Sequence, residues 1–212
     1  MKRLIGVIGL LIGVITAPAQ EVKEQFIRKG LLRSMATISP GTMLQNKKNE
    51  STISIHGNLE YYVADNISIR GDSYYFLQSK FNNGVVLSDL YFFDFNHSIL
   101  SGASYHFKTK NHFDPYIAIE PGISITRASE KCPPEVMCIL PVWARTYETT
   151  ANPLISTAFG FNYYFQKLFH LFGEARYIHG NYLSDAPSPL SLSELRFSFG
   201  LGFNLNLLKK QE

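Results

Sequence analysis

The chain has 212 residues, with 20 Lys and Arg against 17 Asp and Glu, a hydrophobic fraction of 45% and an aromatic fraction of 14%. Charged residues make up only 17%, against about 25% in ordinary soluble domains. Few charges with many aromatics do not fit disorder. A mean hydropathy of -0.04 does not fit a bundle of membrane helices, and a scattered net charge of +3 gives no footing for nucleic acid.

The chain opens on a basic pair, Lys2 and Arg3, followed by an apolar run from Leu4 to Ile15 and then Ala17-Pro18-Ala19. That is the three-part pattern of a secretory signal with small residues at the cleavage positions. The apolar run is too short to span a membrane as a helix, which needs about 20 residues. Residues 1–19 are therefore expected to be a signal peptide. Their removal takes the net charge from +3 to +1, since only Lys2 and Arg3 are lost. Residues 20–29 read as a periplasmic lead-in, 30–208 as a β-barrel and 209–212 as a tail. Every later apolar run is interrupted by Lys, Glu, Asn, Gly or Tyr, so a membrane crossing would have to be made by strands.

From there the period is two, the signature of a strand with unlike faces. Leu32 to Leu44 is weakly alternating and broken by Pro40-Gly41. Ile53 to Val63 alternates clearly, turns at Ala64-Asp65-Asn66, and returns as Ile67 to Leu77. Ile99 to Phe107 is weaker. Tyr116 to Ile125, Ile155 to Phe165 and Phe169 to Tyr177 alternate again. The last stretch, Glu194 to Leu207, places Leu195, Phe197, Phe199, Leu201, Phe203, Leu205 and Leu207 on one face. Glu194, Arg196, Ser198, Gly200, Gly202, Asn204 and Asn206 take the other. It is longer than the 5–6 residues usual in globular proteins and suits a tilted membrane strand of about 9–11. Together these make about eight antiparallel strands. Short connections fall near Asp65, Lys110 and Gln166-Lys167. Longer ones fall near Lys47-Lys48, over 80–93, 128–150 and 184–191. Short turns at one end and long loops at the other is the layout of an outer-membrane barrel.

The polar face decides between a wet sheet and a closed interior. It carries Arg33, Glu60, Arg70, Asp72, Glu120, Glu174, Arg176, Glu194 and Arg196, and almost no lysine; the lysines fall at turns and ends. Four arginines against five acids suit a confined space, because one planar guanidinium can satisfy two carboxylates. A small barrel is just wide enough to be filled by side chains. A lumen charge network is therefore expected, with aliphatic and aromatic groups outside. Tyr61, Tyr62, Tyr74, Tyr75, Tyr163, Tyr164, Phe165, Phe169, Phe172, Tyr177 and Tyr182 lie near strand ends, where interface girdles want them.

These features together resemble the small outer-membrane β-barrel family of Gram-negative bacteria, the OmpA/OmpW-like eight-stranded type. The resemblance rests on the signal segment, the hairpin Asn58 to Gly71, Pro115-Tyr116 opening a strand that contains Glu120-Pro121-Gly122, and the final Leu195 to Leu207. It implies location in the cell outer membrane in contact with its lipid. It also implies insertion by the barrel-assembly machinery, which reads a last strand ending in an aromatic; Phe203 is the match. No nucleic-acid partner or cofactor is expected, and a monomer is.

Little in the sequence points to chemistry. Cys132 and Cys138 lie close together beside Pro133-Pro134 in the longest loop, and in an exported protein such a pair is expected to form a local disulfide. Metal binding there lacks nearby His or further Cys. The six histidines, His56, His97, His106, His112, His170 and His179, show no metal spacing. His97-Ser98 and His179 are the best candidates for a lipid-modifying Ser/His set, and rim or lumen hydrogen bonding is the simpler expectation. The sequence is thus read as a non-enzymatic, all-β, closed antiparallel transmembrane barrel with a plugged polar lumen and a structural or surface-interaction role exercised through its loops. Alternatives are a narrow channel for small apolar solutes, with Ile139, Leu140 and Trp143 in a loop trough, a lipid-modifying enzyme, or a soluble calycin-like barrel.

Overall fold

A computed structural model describes residues 29–45, 48–81, 91–107, 109, 112–130, 145–184 and 190–208. The signal and lead-in segments, the tail, and the Cys132/Cys138 pair lie outside the described residues. Eight long strands account for most of the described chain: β1 (Leu31–Gln45), β2 (Lys48–Tyr62), β3 (Ile67–Phe81), β4 (Tyr91–His106), β5 (Phe113–Glu130), β7 (Thr150–Tyr164), β8 (Phe169–Gly180) and β9 (Glu194–Asn206). A two-residue strand, β6 (Arg145–Thr146), pairs with the end of β5. Neighbours run β4-β3-β2-β1-β9-β8-β7-β5, and β4 also pairs with β5, so the sheet closes on itself. All pairings are antiparallel. Closure gives each long strand a neighbour on both sides, the arrangement a lipid environment favours for backbone N–H and C=O groups.

The alternation read from the sequence decides what faces in. Along β7 and β8 buried and exposed residues alternate almost without exception. Outside stand Ile55, Ile69, Ile99, Ile119, Phe159 and Phe199, all exposed. Inside stand Glu60, Arg70, Glu120, Arg176 and Glu194, all buried. This is the inverse of a soluble fold, where apolar side chains fill the interior and charges coat the surface. At the short-turn end the outer surface carries ring pairs: Tyr105 with Phe107 at 5.3 Å, Phe113 with Phe161 at 5.3 Å, and Phe169 with Phe203 at 5.5 Å between centroids. At the other end Tyr75 stacks on His97 at 4.4 Å and Tyr177 on His179 at 6.4 Å.

Several expectations are corrected. Tyr62, Tyr74, Tyr164 and Phe172 are not girdle residues; they are buried inside the barrel. Their position in the two-residue period already puts them on the lumen face, and proximity to a strand end does not override that parity. Tyr182 is buried beneath the long-loop end rather than exposed on a rim. The connection near Lys47-Lys48 is short, since Gln45 pairs with Lys48. Both strands run past the point where the alternation fades, because the start of β2, from Lys48 to Thr52, is polar at every position. Nor does Pro40-Gly41 break β1: Pro40 pairs with Ile53 and Gly41 with Thr52.

Gly30 enters β1 with φ of 91°, the left-handed region open chiefly to glycine. From there its N–H donates to Tyr62 O at 2.9 Å and its carbonyl accepts from Leu207 N at 3.0 Å, tying the first residue of the barrel to both flanking strands.

Candidate functional site in the barrel lumen

The interior is filled in layers. Nearest the short turns, Arg33 of β1 donates to Asp114 Oδ2 on β5 at 3.1 Å, to Tyr164 Oη on β7 at 2.7 Å, and to Glu60 on β2. His106 lies between two carboxylates, with Nε2 at 2.9 Å from Glu60 and Nδ1 at 2.9 Å from Asp114. Tyr62 and Asn162 also donate to Asp114 Oδ2, at 3.1 and 3.2 Å. Ser68 and Ser104 donate to Glu60.

At mid-height two arginines meet three acids. Arg70 of β3 donates to Asp72 from Nε at 2.9 Å and from an Nη at 3.0 Å, pairs with Glu120 at 2.9 Å, and reaches Glu174 on β8 at 2.7 Å. Arg176 of β8 pairs with Glu120 on β5, with Glu174 at 2.9 Å and with Asp72 on β3 at 3.2 Å. His56 bridges Asp72 at 2.6 Å and Ser198 at 2.9 Å, and Tyr116 donates to Glu174 at 2.8 Å. Above them Arg196 of β9 pairs with Glu194 at 2.7 Å and donates to Ser98 on β4 at 2.9 Å; its guanidinium lies 4.3 Å from the centre of the Tyr74 ring. Such planar ions over aromatic faces gain a cation–π attraction that strengthens away from water.

The nine residues predicted for the lumen, Arg33, Glu60, Arg70, Asp72, Glu120, Glu174, Arg176, Glu194 and Arg196, are all buried, and these contacts group them in three tiers. Sequence reasoning missed Asp114, which shares the parity of Tyr116 and Glu120 but sits one step before the strand as it was read. With Asp114 the described lumen holds six buried carboxylates against four arginines. Sequence reasoning also missed the fourth tier, at the long-loop end. There Met43, Phe76, Phe93, Leu100, Leu154 and Ile178 face inward and pack with Tyr147, Tyr182, Leu190 and Leu192 into one apolar cluster.

His97 and Ser98 part company, as adjacent strand residues must. Ser98 points inward to Arg196, whereas His97 faces outward and accepts the Phe76 N–H at Nδ1, 3.1 Å away. His179 is exposed on β8 beside Ser193, at 3.0 Å. Strands β4 and β8 are not neighbours, so these residues are not assembled into one site. His56, Asp72 and Glu174 could place three ligand atoms within 4.8 Å of one another. Both carboxylates are already engaged by Arg70 and Arg176, so this trio reads as part of the ion-pair network.

The fold has counterparts among solved structures. Outer membrane protein OprG from Pseudomonas aeruginosa aligns over 84% of this chain and 97% of its own, with 11% identity and a TM-score of 0.60. Neisserial surface protein A aligns over 84% and 97%, with 15% identity and a TM-score of 0.55. Ail, the attachment invasion locus protein of Yersinia pestis, aligns over 84% and 99%, with 9% identity and a TM-score of 0.53. At these identities the likeness is one of fold: the chain has the architecture of the small eight-stranded outer-membrane barrels. No family model matches the sequence, and no curated protein does.

Proposed function

We propose that this protein is a monomeric outer-membrane barrel with a sealed lumen, acting structurally or through partner contacts made by the loops of its long-loop end. The observation that carries the sealed lumen is the run of polar ties between strands on opposite sides of the barrel: Arg33 to Asp114, Arg70 to Glu174, and Arg196 to Ser98. Each tie crosses the lumen at a different height, so no straight water path passes them all. The outward belt of Ile, Leu and Phe supports a lipid surround, since soluble monomers rarely expose so much contiguous apolar area. Outer-membrane lipid is then the principal neighbour, and the barrel-assembly machinery the partner during insertion. Both termini and the short turns lie in the periplasm on this reading, with the long-loop end outside. No catalytic role is proposed: the two places where a serine, a histidine and an aspartate meet, Ser198–His56–Asp72 and Ser68–His106–Asp114, are buried inside the barrel and tied into the ion-pair network.

The test has two arms. In a planar bilayer the purified protein is expected to give no steady single-channel current; large, stable openings would refute the sealed lumen. A cysteine placed at Asp65 and another at Leu183, both exposed and at opposite ends, are expected to differ on intact cells, with only Leu183→Cys labelled. Labelling of both would refute the topology.

A second reading, a narrow passage for small apolar solutes, is favoured by one observation. The tier at the long-loop end is lined by apolar side chains, and β3 and β4 pair only as far as Tyr74 and Ser98, leaving the wall beside Phe76 and Phe93 without a ladder. In that reading solute would reach the apolar tier and leave sideways, above the ion pairs.

A further inference from the structure

The barrel's first and last strands meet along a seam with a five-pair gap inside it, longer than the two-pair gap inside β4–β5. Strands β1 and β9 pair from Leu31↔Asn206 to Met35↔Gly202, and again from Gly41↔Arg196 to Met43↔Glu194. Between these stretches, residues 36–40 and 197–201 form no ladder pairs. The register is the same above and below, so no residue is inserted or looped out. Proline explains one missing bond, because Pro40 has no N–H to offer the Phe197 carbonyl opposite. It does not explain the rest. Strands β5 and β7 carry Pro115, Pro121 and Pro153 and still pair without interruption from Phe113↔Tyr163 to Thr126↔Thr150.

Two hydroxyls take the place of the missing donors. Thr37 Oγ1 donates to Phe199 O at 2.7 Å, and Ser39 Oγ donates to Phe197 O at 2.9 Å. Both side chains start from the lumen face and reach sideways to the carbonyls of β9. On the outer face the gap is covered only by Ile38, Pro40, Phe197 and Phe199; Ile38 and Phe199 are among the most exposed apolar residues of the barrel, at 65% and 67%. Behind the gap the packing is loose: Met35, Thr37 and Gly200 are only half-buried although they face the lumen. Met35 also lines a small cavity with Arg33, Asn58, His170 and Phe172. Nearby, Arg33 Nε, His170 Nδ1 and the Asn204 side-chain amide are buried with no hydrogen-bond partner.

We propose that the β1–β9 seam is a lateral portal, held shut by the Thr37 and Ser39 hydroxyls. It parts between residues 36–40 and 197–201, connecting the cavity behind Met35 with the surrounding membrane interface and its water. A backbone ladder resists separation by many bonds acting together; a seam held by two rotatable hydroxyls can release them one at a time. The proposal rests on the membrane-barrel reading above.

The test is amide hydrogen exchange, read by NMR on the full chain in lipid nanodiscs. The amides of Ile38, Phe199 and Leu201 are expected to exchange at least tenfold faster than those of Ile119 and Phe159 in the unbroken β5–β7 ladder. The T37V/S39A double variant is expected to speed the seam amides by roughly a further tenfold, the effect of losing two hydrogen bonds, while leaving β5–β7 unchanged. Equal protection of the two seams in both proteins would overturn the proposal. If T37V/S39A does not assemble, Pro40→Thr serves instead, since it restores a backbone donor opposite Phe197. Slower exchange at Phe197 and Phe199 supports the portal, and unchanged exchange overturns it. Failure of the unaltered chain to need detergent, or to migrate differently on gels before and after heating, would instead overturn the membrane reading itself.

Discussion

The guanidinium of Arg70, on β3, reaches Glu174 Oε2, on β8, at 2.7 Å, and those two strands stand diametrically across the barrel. One hydrogen bond therefore measures the free width of the lumen at mid-height, and that width is zero. Glu174 also accepts from Arg176 and Tyr116, so a single carboxylate joins β3, β5 and β8.

Replacing Glu174 with Gln is expected to destabilise the barrel by about 3 kcal/mol, because it leaves two buried guanidinium groups short of a counter-charge. Urea unfolding in detergent or lipid would measure it. The R70M/E174Q double variant is expected to cost less than the two single changes summed, since each alone strands the other partner. A Glu174→Gln change within about 0.5 kcal/mol of the unaltered protein, the range of ordinary surface substitutions, would show that the network is not held together as described.

Conductance offers a second check on the same network. Removing Arg70 and Arg176 together leaves Asp72, Glu120 and Glu174 facing one another without a cation and takes away the two bulkiest lumen side chains at that height. R70A/R176A is expected to show discrete cation-selective openings in a planar bilayer where the unaltered protein shows none. A silent R70A/R176A that still assembles would place the seal elsewhere.

Adjacent residues on β4 test which way the faces point. Leu100 is 1% exposed and belongs to the apolar tier, whereas Ile99 is 63% exposed on the outer wall. Leu100→Ala should leave a cavity and cost about 2–4 kcal/mol. Ile99→Ala loses contact only with a fluid surround and should cost less than half as much. Equal costs in an unfolding titration would contradict the assigned parity.

Gly30→Ala is expected to destabilise by about 1–2 kcal/mol, since an L side chain is strained at positive φ and would also meet Leu208. The change should show as an earlier loss of the compact form when samples are heated before electrophoresis. A thermal profile indistinguishable from the unaltered chain would count against the Gly30 geometry.

Much of the barrel was legible because its faces are chemically opposite. A residue's parity along a strand fixes whether it meets lipid or lumen, so Arg33 and Glu60, paired directly across β1 and β2, could both be assigned inward from spacing alone. Where the two faces become alike the signal disappears. Leu154 and Ile178 point inward among outward Ile155 and Tyr177, and such a mixed run reads as a fading strand. In the structure it is the apolar tier. Tyr62 and Tyr164 misled for another reason: a tyrosine suits either an interface or a buried ion pair, and composition near a strand end does not distinguish them. His106 gave no signal, because its meaning depends on Glu60 and Asp114, residues 46 and 8 positions away along the chain.

The three cross-lumen ties link residues 81, 104 and 98 positions apart. They join strands on opposite sides of the barrel, so they form only once the sheet has curled round on itself. Such contacts contribute nothing to the early steps of folding. Interactions absent from the transition state leave the folding rate nearly unchanged and act on the unfolding rate. Arg33, Arg70 and Arg196 thereby make the finished barrel slow to come apart rather than quick to assemble: its persistence is kinetic.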